Sequence, residues 1–265
     1  MRLKRKDHKG QNGKVLVVGG SEEYVGAPAL AGLAALKTGV DVVTICAPEK
    51  VAWVINSYSP DLIVKKFIGR EFDVTHCREI INISKKYDVV LLGPGLGINK
   101  DFVLKLLRNI KKPFVIDADA LKVININIVE NSILTPHAKE FEILYTNTLK
   151  GVNYSPEDQA ANIKNIKKAI GSNVILLKGK IDTIFSRKKE HQNKTGNPGM
   201  TVGGTGDVLA GLCAGFLAQS GDLFDSAKEA AFVNGKTGDF MLKQRGYGYT
   251  ASDIVSELHR FIRIY

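Results

Sequence analysis

The sequence has few cysteines and no long apolar run. Its three cysteines, Cys46, Cys77 and Cys213, show no CxxC spacing, and each lies in or beside an apolar segment. This pattern disfavours a disulfide framework or a zinc site and predicts buried thiols. The opening MRLKRKDHKG has no apolar core, and no run reaches about eighteen apolar residues. The sequence therefore supports neither a signal peptide nor a spanning helix, and we expect a cytoplasmic protein without a membrane partner.

A dense basic block is also missing, although the formal net charge is +10. The Lys and Arg residues are spread along the chain, with only short clusters. Nucleic-acid binding as the main function is disfavoured by this spread. A positive field of this kind still attracts small polyanions such as nucleotides.

Apolar strand-like runs alternate with helical patterns along the chain. The runs are KVLVV from Lys14, DVVTICA from Asp41, DLIVKKF from Asp61, DVVLL from Asp88, PFVID from Pro113, SILTP from Ser132 and NVILLKG from Asn173. Helical patterns include APALAGLAALKTG from Ala27, DFVLKLLRNI from Asp101 and SPEDQAANIKNIKKAI from Ser155. The polar stretch after Lys178 predicts a hairpin, and three helical patterns follow Gly204. This alternation predicts one α/β domain over residues 1–265, with a mainly parallel sheet between helices.

Glycine, acidic and hydroxyl residues follow four of these predicted strands. The segments are GGSEEYVGA (19–27), GPGLG (93–97), DAD (117–119) and TPHAKE (135–140). Ligands in open α/β sheets bind beyond the carboxyl ends of the strands. Each segment alone is compatible with an ordinary turn, but together they predict a ligand cleft on one rim.

The segment NPGMTVGGTGDVLAG, residues 197–211, places a glycine cluster and one carboxylate before an apolar helical pattern. Glycines let the backbone approach a ligand closely, and amides at a helix start near Gly206 attract a phosphate. Asp207 in the first turn can accept a proton from a bound hydroxyl. The alternative is an ordinary capped helix after a flexible loop.

Two other motifs are weaker. NGKT, residues 234–237, resembles the end of a P-loop, but Ala230 replaces the first glycine and the segment continues a helical pattern. GPGLG, with Asp117 about twenty residues on, resembles a dinucleotide-binding fingerprint, but Ile98 stands in place of the third glycine. A dehydrogenase is therefore disfavoured.

In their order and spacing, these segments resemble the NAD(P)H-hydrate dehydratases of the ribokinase-like superfamily. The similarity runs from HKGQNGKVLVVGG through GPGLG, VIDADAL, LTPHAKEF, LLKGKID and NPGMTVGGTGDVLAG to GYGYTASDI. It implies a ribokinase-like three-layer sandwich. It also implies repair of hydrated NADH or NADPH, in which ADP or ATP phosphorylates the ring hydroxyl and phosphate is eliminated. The donor is left open, with ADP expected if the chain is prokaryotic.

The resemblance also implies roles for individual residues. Asp207 would be the base, and Gly204, Thr205 and Gly206 would form an anion hole for the transferring phosphoryl group. The hydrated dinucleotide would contact Ala27, Gly97, His137 and Asp207. The nucleotide would contact Lys178, Gly179, Lys180, Ile181, Asp182 and Gly206. The family usually has threonine where Asp182 stands, so a contact through that side chain is open.

Mg²⁺ is expected with the nucleotide, but no ligand cluster in the sequence identifies its protein contacts. The resemblance further suggests a homotetramer and an NAD(P)H-hydrate epimerase as functional partner. Many relatives carry that epimerase as a fused N-terminal domain; since this chain starts at the dehydratase segment, either a separate protein does that work or the chain has been cut from a longer one. Two other functions stay open: a small-molecule kinase of the hydroxyethylthiazole-kinase type and a non-catalytic nucleotide sensor, against which an intact Asp207 argues.

Some of these residues also have ordinary structural explanations. His137 could cap the next helix, and Lys178 could extend to solvent. Asp117 and Asp119 could be turn and cap residues, and they are not included among the predicted catalytic residues.

Overall fold

A computed structural model describes residues 5–8 and 10–262. Nine strands form one sheet in the order β3-β2-β1-β4-β5-β6-β7-β8-β9. The strands are β1 (Lys14–Val18), β2 (Val42–Pro48), β3 (Ile63–Phe67), β4 (Val89–Leu92), β5 (Phe114–Ile116), β6 (Ile133–Leu134), β7 (Val174–Leu177), β8 (Asp182–Phe185) and β9 (Glu190–Asn193). The first seven strands pair in parallel, and β8 and β9 add an antiparallel hairpin. All seven strands predicted from apolar runs and the predicted hairpin are confirmed.

Ten α-helices connect and cover these strands within the described residues. They are α1 (Gly26–Lys37), α2 (Glu49–Tyr58), α3 (Cys77–Ser84), α4 (Lys100–Asn109), α5 (Asp119–Lys122), α6 (Ala138–Thr148), α7 (Gln159–Ile166), α8 (Thr205–Ser220), α9 (Leu223–Arg245) and α10 (Ala251–Glu257). The pattern predicted from Ser155 gives a shorter helix, because the Asp158 side chain caps α7 by accepting a hydrogen bond from the Ala161 amide. The NGKT segment lies inside α9, which excludes a P-loop there.

Helices cover both faces of the sheet. Val15 and Val17 of β1 belong to one buried cluster, which contains residues of α1, α8, α9 and α10. Leu16 and Val18 belong to a second cluster with residues of α3, α4, α6 and α7. Alternate side chains of a strand point to opposite faces, so β1 feeds both cores. The predicted three-layer arrangement is confirmed.

All three cysteines are unpaired and buried, as predicted. Within the described part of the chain, no helix has both the length and the apolar character that crossing a membrane would require.

The strand order reverses direction at β1, which lies between β2 and β4. The loops that leave the carboxyl ends of β1 and β4 therefore lie side by side, and the Gly20 amide donates a hydrogen bond to the Pro94 carbonyl at 2.9 Å. A side chain at Gly19 would place its Cβ 2.2 Å from the same oxygen. In open parallel sheets such a reversal point forms the ligand crevice. The fold thus brings the first two predicted rim segments together.

Candidate active site

The site begins at the first turn of α8, which starts at Thr205, one residue before the predicted position. Gly204 precedes it with φ +95°, and a Cβ there would lie 2.6 Å from Leu30 Cδ1. Gly204 has no side chain to cap the helix, so the amides of the first turn remain available to an anion. The Thr205 hydroxyl donates to the Met200 carbonyl at 2.7 Å. The hydroxyl therefore fastens the preceding segment to the helix start.

Asp207 lies in this first turn and is partly exposed. Burial, and next the negative charge of Asp117, raise the pKa of Asp207 to about 7; Asp119 and Glu140 add to this effect, and Lys178 opposes it. No described residue donates a hydrogen bond to its carboxylate. Asp207 can therefore exchange a proton near neutral pH, as a general base must.

Lys178 directly follows β7, and its side chain turns inward. Its Nζ lies 3.0 Å from Asp117 Oδ1 and 3.8 Å from Glu140 Oε2. A Cβ at Gly206 would lie 3.4 Å from this nitrogen. Burial acts to lower the pKa of Lys178, but the carboxylates of Asp117, Glu140 and Asp207 outweigh burial and raise it. The ammonium group thus stays charged beside the first turn of α8, and the solvent-directed alternative is wrong.

Asp117 lies on the rim as predicted, but the sequence interpretation did not include it among the site residues. It is only 2% exposed, directly follows β5, and accepts hydrogen bonds from Lys178 Nζ and from the Thr135 hydroxyl, the latter at 2.8 Å. It is not merely a turn residue, because its side chain pairs with a residue 61 positions away. The available signal was its position at the end of an apolar run on the predicted rim.

Gly97 lies in the loop after β4 and adopts φ +76°. Its amide donates to Asp119 Oδ2 at 2.9 Å, while Lys122 Nζ donates to Asp119 Oδ1 at 2.7 Å. A Cβ at Gly97 would meet no atom within 4 Å. The glycine therefore borders open space, and Asp119 holds its loop in place.

Ala27 lies in the first turn of α1 and is half-buried. A Cβ at Gly95 would lie 3.2 Å from the Ala27 Cβ and 2.6 Å from the Tyr24 carbonyl oxygen. Ala27 therefore adjoins the loop that contains Gly97, and its small side chain allows α1 and that loop to pack closely.

His137 is the N-cap of α6, as one of the two interpretations of the sequence expected. Its Nδ1 accepts from the amides of Lys139 and Glu140 at 3.1 and 3.3 Å, and its Nε2 lies 3.2 Å from Glu140 Oε1. The side chain is still 51% exposed. The capping hydrogen bonds thus fix the orientation of the His137 imidazole, which is still partly exposed to solvent.

The KGKID segment, residues 178–182, forms the turn between β7 and β8. The Gly179 amide donates to Asp182 Oδ1, and Asn193 Nδ2 donates to Asp182 Oδ2, both at 3.1 Å. Burial raises the pKa of Asp182. Both carboxylate oxygens of Asp182 fasten the turn, whereas Gly179, Lys180 and Ile181 are exposed.

Across residues 5–8 and 10–262, no three His, Cys, Asp or Glu side chains are grouped so that they could hold a metal ion. Mg²⁺ commonly takes most of its ligands from water and substrate phosphates, with one or two carboxylates from the protein. The carboxylates of Asp117, Asp119 and Glu140 are engaged by Lys178, Lys122 and the His137 amide. The residues present therefore fit a metal ion that arrives with a nucleotide better than a resident one.

Comparison with known proteins shows which family the chain belongs to. A profile of the NAD(P)H-hydrate dehydratases matches residues 15–260. The chain is 43% identical over 258 residues to the bifunctional NAD(P)H-hydrate repair enzyme of Methanothermobacter thermautotrophicus, covering 94% of this chain and 49% of that protein. It is 33% identical to the ADP-dependent (S)-NAD(P)H-hydrate dehydratase of Natrialba magadii, covering 95% of this chain and 93% of that protein. The chain thus spans about half the length of the bifunctional relatives and nearly all of the shorter one.

Solved structures agree with these sequence matches. The ADP/ATP-dependent NAD(P)H-hydrate dehydratase of Bacillus subtilis, co-crystallised with ATP and Mg²⁺, superposes with a TM-score of 0.80 at 25% identity, covering 98% of this chain and 94% of that one. Ribokinase from Thermotoga maritima shares the fold, with a TM-score of 0.65 at 14% identity over 94% of this chain and 99% of that one. The chain belongs to the NAD(P)H-hydrate dehydratase family and has the ribokinase-like fold.

Proposed function

We propose that this protein repairs NADH or NADPH whose nicotinamide ring has taken up water, using ADP or ATP to drive the dehydration. The observation that carries this proposal is the first turn of α8. There, Asp207 with a pKa of about 7 lies beside helix amides and the buried Lys178 ammonium group. A base next to an anion site is what phosphorylation of a hydroxyl requires.

In the proposed first step, Asp207 takes the proton of the ring hydroxyl. The hydroxyl oxygen then attacks the terminal phosphorus of the nucleotide, and the bond from that phosphorus to the bridging oxygen breaks. AMP leaves if the donor is ADP, and ADP leaves if the donor is ATP. Asp207 is suited to this role because about half of its population is ionised near pH 7 while the carboxylate stays close to the anion site.

In the second step, the bond from the ring carbon to the phosphate oxygen breaks and a proton passes from the neighbouring carbon to water, which restores the double bond between C5 and C6 and releases phosphate. Phosphate is a better leaving group than hydroxide because hydroxide is the stronger base. The amides of Gly204, Thr205 and Gly206 would bind the phosphoryl oxygens, and Lys178 would add a positive charge at the same place. Mg²⁺ carried by the nucleotide would neutralise part of its charge.

The positions of the rim residues support the proposed contacts with the two substrates. Ala27 adjoins the β4 loop and Gly97 borders open space in that loop, so we propose that they line the hydrated dinucleotide together with His137 and Asp207. The nucleotide would lie over residues 178–182 and against Gly206. Because Asp182 is held by Gly179 and Asn193, this turn would contact the nucleotide mainly through its backbone.

We further propose one dehydratase domain over residues 1–265, working in the cytoplasm as a homotetramer with an NAD(P)H-hydrate epimerase as functional partner. The bifunctional relatives support a link to a second repair activity. ADP is the proposed donor, supported by the ADP-dependent relative of Natrialba magadii.

The experiment incubates the protein with chemically hydrated NADH, Mg²⁺ and either ADP or ATP. It follows the return of the 340 nm absorbance typical of reduced nicotinamide and the release of inorganic phosphate. The proposal predicts one phosphate for each NADH recovered, faster with ADP. A stable phosphorylated ring without recovery would indicate a kinase, and nucleotide binding without either product would indicate a sensor; both would contradict the proposal.

A further inference from the structure

The carboxylate of Asp117 is more deeply buried than the Lys178 side chain that it contacts, and it has no role in the steps above. Its exposed fraction is 2%, while the Lys178 side chain is 20% exposed. We infer that Asp117 is a positioning residue of this site: it anchors the Lys178 ammonium group beside the first turn of α8 and supplies a fixed negative charge that acts on Asp207. This inference goes beyond the proposed function and depends on it only for the consequence on turnover.

The position of Asp117 is fixed by its neighbours in the sheet. Its amide donates to the Leu92 carbonyl at 3.1 Å, and the Thr135 hydroxyl donates to its Oδ1 at 2.8 Å. A Cβ at Gly93 would lie 1.9 Å from the Asp117 carbonyl oxygen, so that glycine allows β4 and the β5 end to approach. The carboxylate therefore belongs to the rigid part of the sheet and not to a mobile loop.

Lys178 is held from both ends. Its backbone amide donates to the Pro136 carbonyl at 2.8 Å, and its Nζ donates to Asp117 Oδ1 at 3.0 Å. The ammonium group thereby stays next to Gly206, where a Cβ would be 3.4 Å away. In Asp117→Asn an amide oxygen can still accept from Nζ, and Glu140 Oε2 remains 3.8 Å away, so the variant removes the charge and keeps Lys178 in place.

The same pair determines how readily Asp207 ionises. After burial, Asp117 is the largest influence that raises the pKa of Asp207; Asp119 and Glu140 act in the same direction, and Lys178 acts against them. These charged groups face Asp207 from the end of β5, from α5, from α6 and from the end of β7. Removal of the Asp117 charge has two effects. It eliminates the repulsion between Asp117 and Asp207, and it leaves the positive charge of Lys178 less neutralised. Both changes favour the ionised form of Asp207.

The test compares Asp117→Asn with Thr135→Val by following the pH titration of the Asp207 carboxyl carbon by NMR. Each protein is labelled with ¹³C-aspartate, and Asp207→Asn identifies the signal. Thr135→Val is the matched control, because it removes a hydrogen bond to Asp117 but keeps the charge. We expect Asp117→Asn to lower the Asp207 midpoint by about one pH unit or more and the control to move it by less than about half a unit.

This titration needs no turnover, so its result stands whether or not the proposed repair activity is found. If the enzyme is active, the acidic limb of its pH profile should move by the same amount in Asp117→Asn. An unchanged Asp207 midpoint, or equal shifts in both variants, would overturn the inference. Asp117→Ser provides a second test of the charge, and failure of both Asp117 variants to fold would show a purely structural role and overturn it too.

Discussion

The two ends of the central sheet differ in how completely their polar side chains are hydrogen-bonded. At the amino ends of the strands these groups are paired within the chain. Asp41, just before β2, accepts hydrogen bonds from the Gly10 and Asn12 amides at 2.7 and 2.9 Å. Burial acts to raise the pKa of Asp41, but these bonds and those from the Asn12 side chain outweigh burial and lower it. Asn173, before β7, makes three hydrogen bonds to backbone atoms.

At the carboxyl ends, four carboxylates gather around Lys178 and Lys122. Asp117, Asp119 and Glu140 accept hydrogen bonds from Lys178, Lys122 and the His137 amide, whereas none of the described residues donates a hydrogen bond to Asp207. The helix amides of α8 likewise lack a capping side chain. Burying polar groups without partners costs stability, so such an arrangement is found where a ligand completes it.

This difference indicates that residues at the amino ends of the strands mainly stabilise the fold, whereas residues at the carboxyl ends are available for the proposed chemistry. The amino ends have satisfied hydrogen bonds, which hold the loops and the sheet together. The carboxyl ends keep one carboxylate, Asp207, without a hydrogen-bond donor among the described residues, and helix amides without a capping side chain. Substitutions at the two ends should therefore have opposite consequences.

The largest effect should come from Asp207→Asn, which removes the proposed base. We expect turnover of hydrated NADH to fall by at least about 10²-fold, because general-base catalysis contributes that much or more. Binding of ADP, measured by calorimetry, should remain, since the amides and Lys178 are unchanged. Retained turnover would contradict the assignment of the base.

The counterpart at the amino end is Asp41→Asn, which keeps the shape but weakens the bonds from Gly10 and Asn12. Urea unfolding at pH 7 should show a loss of about 1–3 kcal/mol, while turnover stays as in the unmodified protein. The pKa of Asp41 is lowered on folding, so the loss should shrink as the pH falls through that lowered value. A large loss of turnover without a loss of stability would contradict the claim that the amino end of the sheet contributes to stability and not to turnover.

Asp207→Asn should also change stability, but in the direction opposite to Asp41→Asn. The pKa of Asp207 is raised from 3.8 to about 7 on folding, so the ionisable side chain costs stability increasingly as the pH rises from 3.8 to 7. The variant avoids this cost. Its melting temperature should exceed that of the unmodified protein by about 2–10 °C at pH 8 and by less at pH 5. Equal melting temperatures at pH 8 would contradict the raised pKa.

The smallest effects should come from a pair of glycines with similar backbone geometry at opposite ends. Gly97 and Gly171 adopt φ +76° and +59°, and a Cβ at either would meet no atom within 4 Å. Gly97→Ala and Gly171→Ala should each cost about 1–2 kcal/mol of unfolding free energy. Only Gly97→Ala should raise KM for hydrated NADH. Equal KM values in both variants would remove Gly97 from the proposed substrate contacts.

The sequence predicted much of this fold because most of the information is local. The apolar runs identified the strands β1 to β7, and the glycine cluster placed the start of α8 within one residue. The helices α2, α3 and α5 were not among the segments predicted, and α7 is shorter than its pattern, since the Asp158 cap fixes its first residue.

The Asp117–Lys178 pair could not be predicted in the same way. The two residues are 61 positions apart and meet only because β5, β6 and β7 are neighbours in the sheet. Apolar runs show that strands exist, but their order depends on how the helices pack. The pattern at His137 had allowed either a cap or a ligand contact, and only the hydrogen bonds to Lys139 and Glu140 established the cap.

The most direct test of the account is the pH dependence of kcat/KM for hydrated NADH in the unmodified enzyme, measured at saturating Mg²⁺ and ADP. If the carboxyl end of the sheet holds a base whose pKa lies at about 7, activity should be level above pH 7 and should fall about tenfold per pH unit below it. An acidic limb near pH 4, as for an ordinary carboxylate, would contradict the claim that this end of the sheet prepares Asp207 for catalysis.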